Sequence, residues 1–185
     1  MFGEPNTSDA KWTTLPFANV TISFNRYRKP VKEGDRQKMQ GPYPYYGATG
    51  VVDHVNDYKL DGRFLLISED GKALEFRNYD IAFIAEGKIW VNNHAHVVQC
   101  TDDIEMLYLM YHFKYMDISK WVTGTDQKKL NKENLDIMPI MIPPIELQRQ
   151  FTQFTEQADK SKLAIQKSID KLETLKKSLM QKYFG

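Results

Sequence analysis

Short apolar runs bounded by turn-forming residues fill most of the chain before residue 143. "FLLIS" (64–68), "DIAFIA" (80–85), "KIWV" (88–91) and "HAHVVQC" (94–100) read as strands. "EDGK" (69–72) and "AEGK" (85–88) read as the turns between them. "DDIEMLYLMYHFKYM" (102–116) is longer and apolar on most faces, which predicts a largely buried helix. Asp102 and Glu105 stand at capping-box spacing at its start. "NKENLD" (131–136) predicts a short helical turn, and "IMPIMI" (137–142) a buried strand.

The pattern changes after Pro143-Pro144. From Glu146 to Phe184 there is no Pro and no Gly. With Phe151 at heptad position a, the a positions are Phe151, Ala158, Ile165, Leu172 and Leu179, and the d positions are Phe154, Ser161, Ser168 and Leu175. Only the two serines interrupt this apolar seam, and its flanks are rich in Lys and Gln. A narrow seam on a helix roughly 57 Å long, at 1.5 Å per residue, predicts pairing with another helix. An amphipathic helix folded back on its own domain is the alternative. The expected layout is a leader (1–10), a mixed α/β domain (11–143) and a coiled-coil helix (144–185).

Composition narrows the setting. The single cysteine, Cys100, leaves no intramolecular disulfide, which fits a reducing compartment. No apolar run approaches the roughly 20 residues of a membrane span. "MFGEPNTSDAKW" has no signal-peptide core, so a cytoplasmic protein is expected. The net charge of +1 hides an asymmetry. Residues 159–182 hold seven Lys against Asp159, Asp170 and Glu173, a net of +4, which leaves −3 for the remainder. Nucleic-acid binding by such a domain depends on local clusters or a basic partner.

The order of certain pieces is more specific than any one of them. "PYYGATG", then "NNHAHV", then "GTDQKKLNKENLDIMPIMIPPIELQ" running from Gly124 into Gln148, then a long helix, resembles one half of the DNA-specificity subunit of type I restriction–modification systems. The resemblance covers about residues 11–185. It implies an α+β target-recognition domain followed by a long helix that forms an antiparallel coiled coil. It also implies double-stranded DNA and methyltransferase subunits as partners, and a restriction subunit that can join them. Under it the chain has no cofactor of its own, since S-adenosylmethionine belongs to the methyltransferase. Family members usually carry two such domains in one chain. One copy of each here resembles a half subunit, a truncated product or a fragment. The long helix then pairs with a second copy or another half subunit through Phe151, Phe154, Ala158, Ile165, Leu172, Leu175 and Leu179.

Four stretches supply candidate DNA contacts. "GPYPYYGATG" (41–50) packs Gly, Pro and Tyr into a stiff, aromatic segment, which loses little entropy on entering a groove. Tyr43 and Tyr45 are expected nearer the DNA, with Tyr46-Gly47 structural. "NRYRKPVK" (25–32) offers Arg26, Arg28, Lys29 and Lys32 to phosphates. "GKIWVNNHAHV" offers Lys88, Asn92, Asn93 and His94, among which Asn can read adenine and Lys guanine. A metal pair at His94-x-His96 is the lesser alternative there. "KWVTGTDQKK" offers Lys120, Thr123, Gln127 and Lys128 around a glycine turn. Lys72 and Arg77 complete the basic candidates. Each stretch also has a plain reading as a solvated or structural turn.

Catalytic signatures are missing from the sequence. Pro143-Pro144 lies between Ile142 and Ile145, which lack the polar and aromatic neighbours a base-flipping methyltransferase needs. No Gly-rich cofactor loop or Walker motif occurs. The expected role is non-catalytic recognition. The rivals are a stand-alone enzyme, either a methyltransferase or a metal-dependent hydrolase, and a coiled-coil scaffold that never meets DNA.

Overall fold

The computed structural model describes residues 12–76 and 80–185, with no side-chain description for Lys72 and Phe76. The expected leader lies outside the described residues. The chain divides into two units, one ending at Gln148 and one running Arg149–Gly185.

In the first unit, strand β1 (Thr13–Pro16) runs into a one-turn helix α1 (Phe17–Val20) and strand β2 (Thr21–Ser23). A 3-10 turn (Asn25–Tyr27) and helix α2 (Glu33–Arg36) lead to strands β3 (Gln40–Tyr46) and β4 (Val51–Val55). Then come β5 (Leu60–Ser68), α3 (Lys72–Phe76), β6 (Ala82–Val91), β7 (Ala95–Cys100), α4 (Met106–Tyr115), α5 (Lys132–Ile137) and β8 (Pro139–Ile142). Helix α6 (Ile145–Phe184) starts in this unit and forms the second.

Six strands form one curled sheet in the order β2-β7-β5-β6-β3-β4, while β1 pairs with β8 separately. The pairings are antiparallel except β3 with β6, which is parallel and short: Tyr45 opposes Trp90 and Tyr46 opposes Val91. That brevity suits β3, because Pro42 and Pro44 have no N–H to give a longer ladder.

The apolar runs lie where their pattern predicts. Phe64 to Ser68 are all buried in β5, between β7 and β6. Leu60, Phe64, Leu66, Ala85, Ile89, Val91, Ala95 and Val97 form the main core cluster. Tyr45, Val55 and Trp90 form a second.

Two expected boundaries are corrected. "AEGK" is no turn, because β6 runs unbroken through it as a ten-residue strand. Gly87, at φ +80°, faces Gly62, at φ +146°, and the ladder keeps its register through them. Val91, at the end of β6, joins the same cluster as Ala95 and Val97. The helix after "DDIE" starts only at Met106, and its N-cap Glu105 makes no side-chain cap bond. Gln148 replaces the expected capping box. Its Oε1 accepts from the Glu105 N–H at 2.9 Å, and its Nε2 donates to the carbonyls of Asp103 (3.1 Å) and Pro143 (2.8 Å). Farther along, Asn131 caps α5 by accepting from the Asn134 N–H at 2.8 Å.

His112 on α4 is buried, and among the described residues its Nε2 has no hydrogen-bond partner. Burial pushes its pKa down to about 4, against a smaller upward pull from a hydrogen bond to Pro139. An unfolded histidine takes its proton near 6.5. Between these values the unfolded chain therefore binds more protons, and stability falls as pH falls. This group alone is expected to remove about 2 kcal/mol between pH 7 and pH 5. Urea titrations at the two pH values check it. His112→Phe should lose less stability over the same interval than wild type, and an equal loss would contradict the assignment.

Candidate nucleic-acid interface

Four turns distant in sequence are tied together by hydrogen bonds. The β3–β4 turn closes with the Gly47 N–H donating to the Gly50 carbonyl at 2.8 Å. Ser68 at the end of β5 donates from Oγ to the Ala48 carbonyl at 2.6 Å, tying that turn to β5. The Glu69 N–H donates to the His94 carbonyl at 2.9 Å, which brings in the β6–β7 turn. Gly71 and Leu130 donate their N–H groups to the carbonyls of Lys128 and Glu69, which brings in the 123–130 loop. Thr49, Asn93, His94, Thr125 and Gln127 are exposed on these turns.

A charged network fixes the turns from beneath. Glu69 pairs with Arg28, with Lys129 at 3.2 Å, and lies 3.8 Å from His96 Nδ1. Burial works to raise the Glu69 pKa, but the hydrogen bond and charge of Arg28 and the hydrogen bond from Lys129 outweigh it and hold the carboxyl below its usual value. Arg28 also donates to the Ala95 carbonyl at 3.1 Å. His96 is fully buried and donates from Nε2 to the Leu130 carbonyl at 2.8 Å. Its Nδ1 therefore accepts from the Asn25 amide at 3.0 Å, while Asn25 Oδ1 accepts from the Val97 N–H. Burial lowers the His96 pKa, so the ring stays neutral in this arrangement. His94 is exposed, and Asp70 orients its Nδ1 at 2.9 Å. The 123–130 loop is closed by Gly124, at φ +89°. A Cβ there would stand 2.2 Å from the Gln127 carbonyl, so only glycine sets the backbone at this tip.

The model of the type I restriction modification DNA specificity domain matches residues 12–177. The chain belongs to that family. It is 36% identical over 149 residues to the Haemophilus influenzae protein named as the type I restriction enzyme specificity subunit S.HindORF215P, covering 80% of this chain and 37% of that one. It is 24% identical to the MjaVIII specificity subunit of Methanocaldococcus jannaschii, covering 88% and 40%. Among solved structures, it resembles the type I restriction–modification S subunit from M. genitalium with a TM-score of 0.60 at 12% identity, over 83% of this chain and 41% of that one. A chain from a study of type I restriction–modification assembly and conformational transition is similar with a TM-score of 0.67 at 16% identity, over 97% and 46%. The chain thus spans less than half the length of these relatives.

The geometry of this specificity domain sorts the sequence candidates. Three are corrected. Tyr45 is in the core at 1% exposure, and its hydroxyl accepts from the Val31 N–H at 2.9 Å, so it does not face DNA. Asn92 is buried, and its Oδ1 accepts from the His94 N–H at 2.8 Å, so it builds the β6–β7 turn and presents no amide at its tip. Arg28 is committed to Glu69 and Ala95. The "GPYPYY" segment is strand β3, and only Gly47 to Gly50 make the turn.

Asn93, His94 and Gln127 are the candidates exposed at the meeting turns. On the same loop the Thr123 hydroxyl donates to the Lys129 carbonyl, and the Lys128 ammonium uses one of its three donors on the Gly124 carbonyl. Lys120 is exposed ahead of that loop. Arg26 is exposed and stacks over Tyr27 at 4.7 Å, while Lys29 and Lys32 are exposed on the 25–32 segment. Tyr43 and Lys88 lie together beside Tyr58, away from the meeting turns in the ladder. The Lys72 side chain and Arg77 lie outside the described residues. His94 and His96 do not act as a pair, since one ring faces solvent on Asp70 and the other is locked in the core. Among the described residues no group of three His, Cys, Asp or Glu is placed to hold a metal ion. Glu69 and Asp70 were missed because their partners are remote in sequence, and "EDGK" signals only a turn.

Proposed function

We propose that this specificity domain is the sequence-reading part of a type I restriction–modification complex and recognises one half of a bipartite site in duplex DNA. The family match carries the reading, because it spans both the α/β unit and most of the long helix. The gathered turns support it with chemistry: Asn93 and Gln127 offer amides suited to adenine, on backbones held by Asn92 and Gly124. The domain does no chemistry itself. Methyltransferase subunits dock on it, bring S-adenosylmethionine and modify adenine, and a restriction subunit joins the assembly.

The second half of the site is read by a second such unit, paired through α6. Ile165, Leu172 and Leu175 support this, since each is more than half exposed in the single chain. Antiparallel pairing of two copies makes a two-fold symmetric reader of an inverted repeat. The setting is the cytoplasm, and no helix among the described residues is long and apolar enough to cross a membrane.

The α/β unit lacks a basic surplus, so specific binding should depend on the methyltransferase. Duplexes selected from a random-sequence pool test this. A motif is expected to be enriched by chain and methyltransferase together, and weakly or not at all by the chain alone. Enrichment in neither selection contradicts DNA recognition, and strong enrichment by the chain alone contradicts the dependence on a partner.

A further inference from the structure

The strand pattern singles out neither Tyr58 nor Lys59, yet they sit in a defined place. The Asn56 N–H donates to the Met39 carbonyl at 2.7 Å, and the Lys59 N–H to the Ile89 carbonyl at 2.9 Å, so the connection from β4 to β5 is held at both ends. Tyr58 meets Tyr43 edge to face, with ring centroids 5.2 Å apart. The Lys88 ammonium lies 4.8 Å from the Tyr58 centroid and 6.0 Å from that of Tyr43. Lys59 places its ammonium 4.4 Å from the Trp90 centroid. The Trp90 indole N–H donates to the Lys29 carbonyl at 2.7 Å, which holds the Lys29 backbone here, and the Lys29 charge acts on Asp57. Two carboxylates share the area. Asp57 pairs with Lys59, whose hydrogen bond lowers its pKa, and Asp61 opposes Lys88 in the ladder.

Lys29, Lys59 and Lys88 outnumber these carboxylates, and two of the three lie across aromatic rings. Such lysines are partly ordered before a ligand arrives, so less entropy is lost on binding. Their ammonium groups are point charges, and the tyrosine hydroxyls are single donors. Ammonium and hydroxyl groups both suit phosphate oxygens, whereas the amides suited to adenine stand on the turns and not on this strip.

We infer that the strip of Lys29, Lys59 and Lys88 with Tyr43 and Tyr58 docks the phosphate backbone of duplex DNA, leaving base discrimination to the turns at Asn93 and Gln127. This rests on the DNA-recognition reading above. The test uses the full chain with its methyltransferase, a duplex carrying the selected motif and a scrambled duplex of equal length, over a salt series. Replacing Lys59 and Lys88 together by Gln should make the slope of log affinity against log salt shallower by about 1.8 on both duplexes, at about 0.9 per phosphate contact. Preference for the motif should stay the same. Asp57→Asn removes the carboxylate that competes for Lys59 and should tighten binding to both duplexes, a gain that misfolding cannot imitate. If the lysine variant melts below wild type, Asp57→Asn decides: a gain supports the strip and no gain overturns it. Unchanged slope in a normally melting lysine variant overturns the strip alone, as does a changed motif preference. A wild-type complex that binds neither duplex overturns the DNA-recognition reading and the strip with it.

Discussion

Replacing Gln148 by Ala is expected to lower the stability of the α/β unit by about 3 kcal/mol, from the cost of leaving buried polar groups unpaired. Gln148 is fully buried and holds three backbone groups at once: the Glu105 N–H and the carbonyls of Asp103 and Pro143. These belong to the start of α4 and the end of β8, so one side chain joins two segments far apart in sequence. Alanine removes every partner and leaves a cavity that the first turn of α6 cannot fill without moving. For a domain of this size the loss corresponds to a fall in Tm of about 6–12 °C. Thermal melting followed by circular dichroism checks it, and a fall of less than about 2 °C would contradict the role assigned to this residue.

Leu172→Asp is expected to convert a dimer into a monomer. Leu172 lies at an a position of the α6 seam and is 65% exposed in the single chain. Pairing would bury it, and an aspartate in its place takes a carboxylate out of water with no cation assigned to meet it. In a symmetric pair the penalty occurs twice, once per copy. The exposed residues near the end of the helix, Leu175, Leu179, Met180 and Tyr183, extend the same surface and make the seam costly to leave in water. Sedimentation at high micromolar concentration is expected to show twice the 21.6 kDa chain mass for wild type and the chain mass for the variant. The melting of the α/β unit should not change. A wild-type chain that is monomeric under these conditions contradicts self-pairing and leaves α6 to a different half subunit.

What was legible in the sequence were features set by local pattern. The seam of α6 follows from its heptads, and the buried strands from runs such as "FLLIS" and "HAHVVQC". The short helix α5 follows from "NKENLD". What was not legible depended on partners remote in the chain. Gly87 signals a turn, and only its place opposite Gly62 in an unbroken ladder shows it to be part of one strand. Asp102 and Glu105 have capping-box spacing, but Gln148, 43 residues beyond Glu105, supplies the bond instead. Arg28 reads as an exposed phosphate contact until Glu69, 41 residues away, is seen to hold it. Tyr45 reads as a displayed aromatic until Val31 and Trp90 are seen to enclose it. The order of motifs was specific enough to indicate the family, while the division of labour among exposed side chains emerged only from the fold.

The most direct measurement of DNA recognition is the map of methylated adenines in cells that hold the methyltransferase, with and without this chain. A two-part methylated motif is expected to appear only when the chain is present. Asn93→Ala with Gln127→Ala is expected to change the methylated bases within the half-sites. A methylome that is the same with and without the chain, in cells where chain and methyltransferase are both folded and abundant, would contradict DNA recognition by this chain.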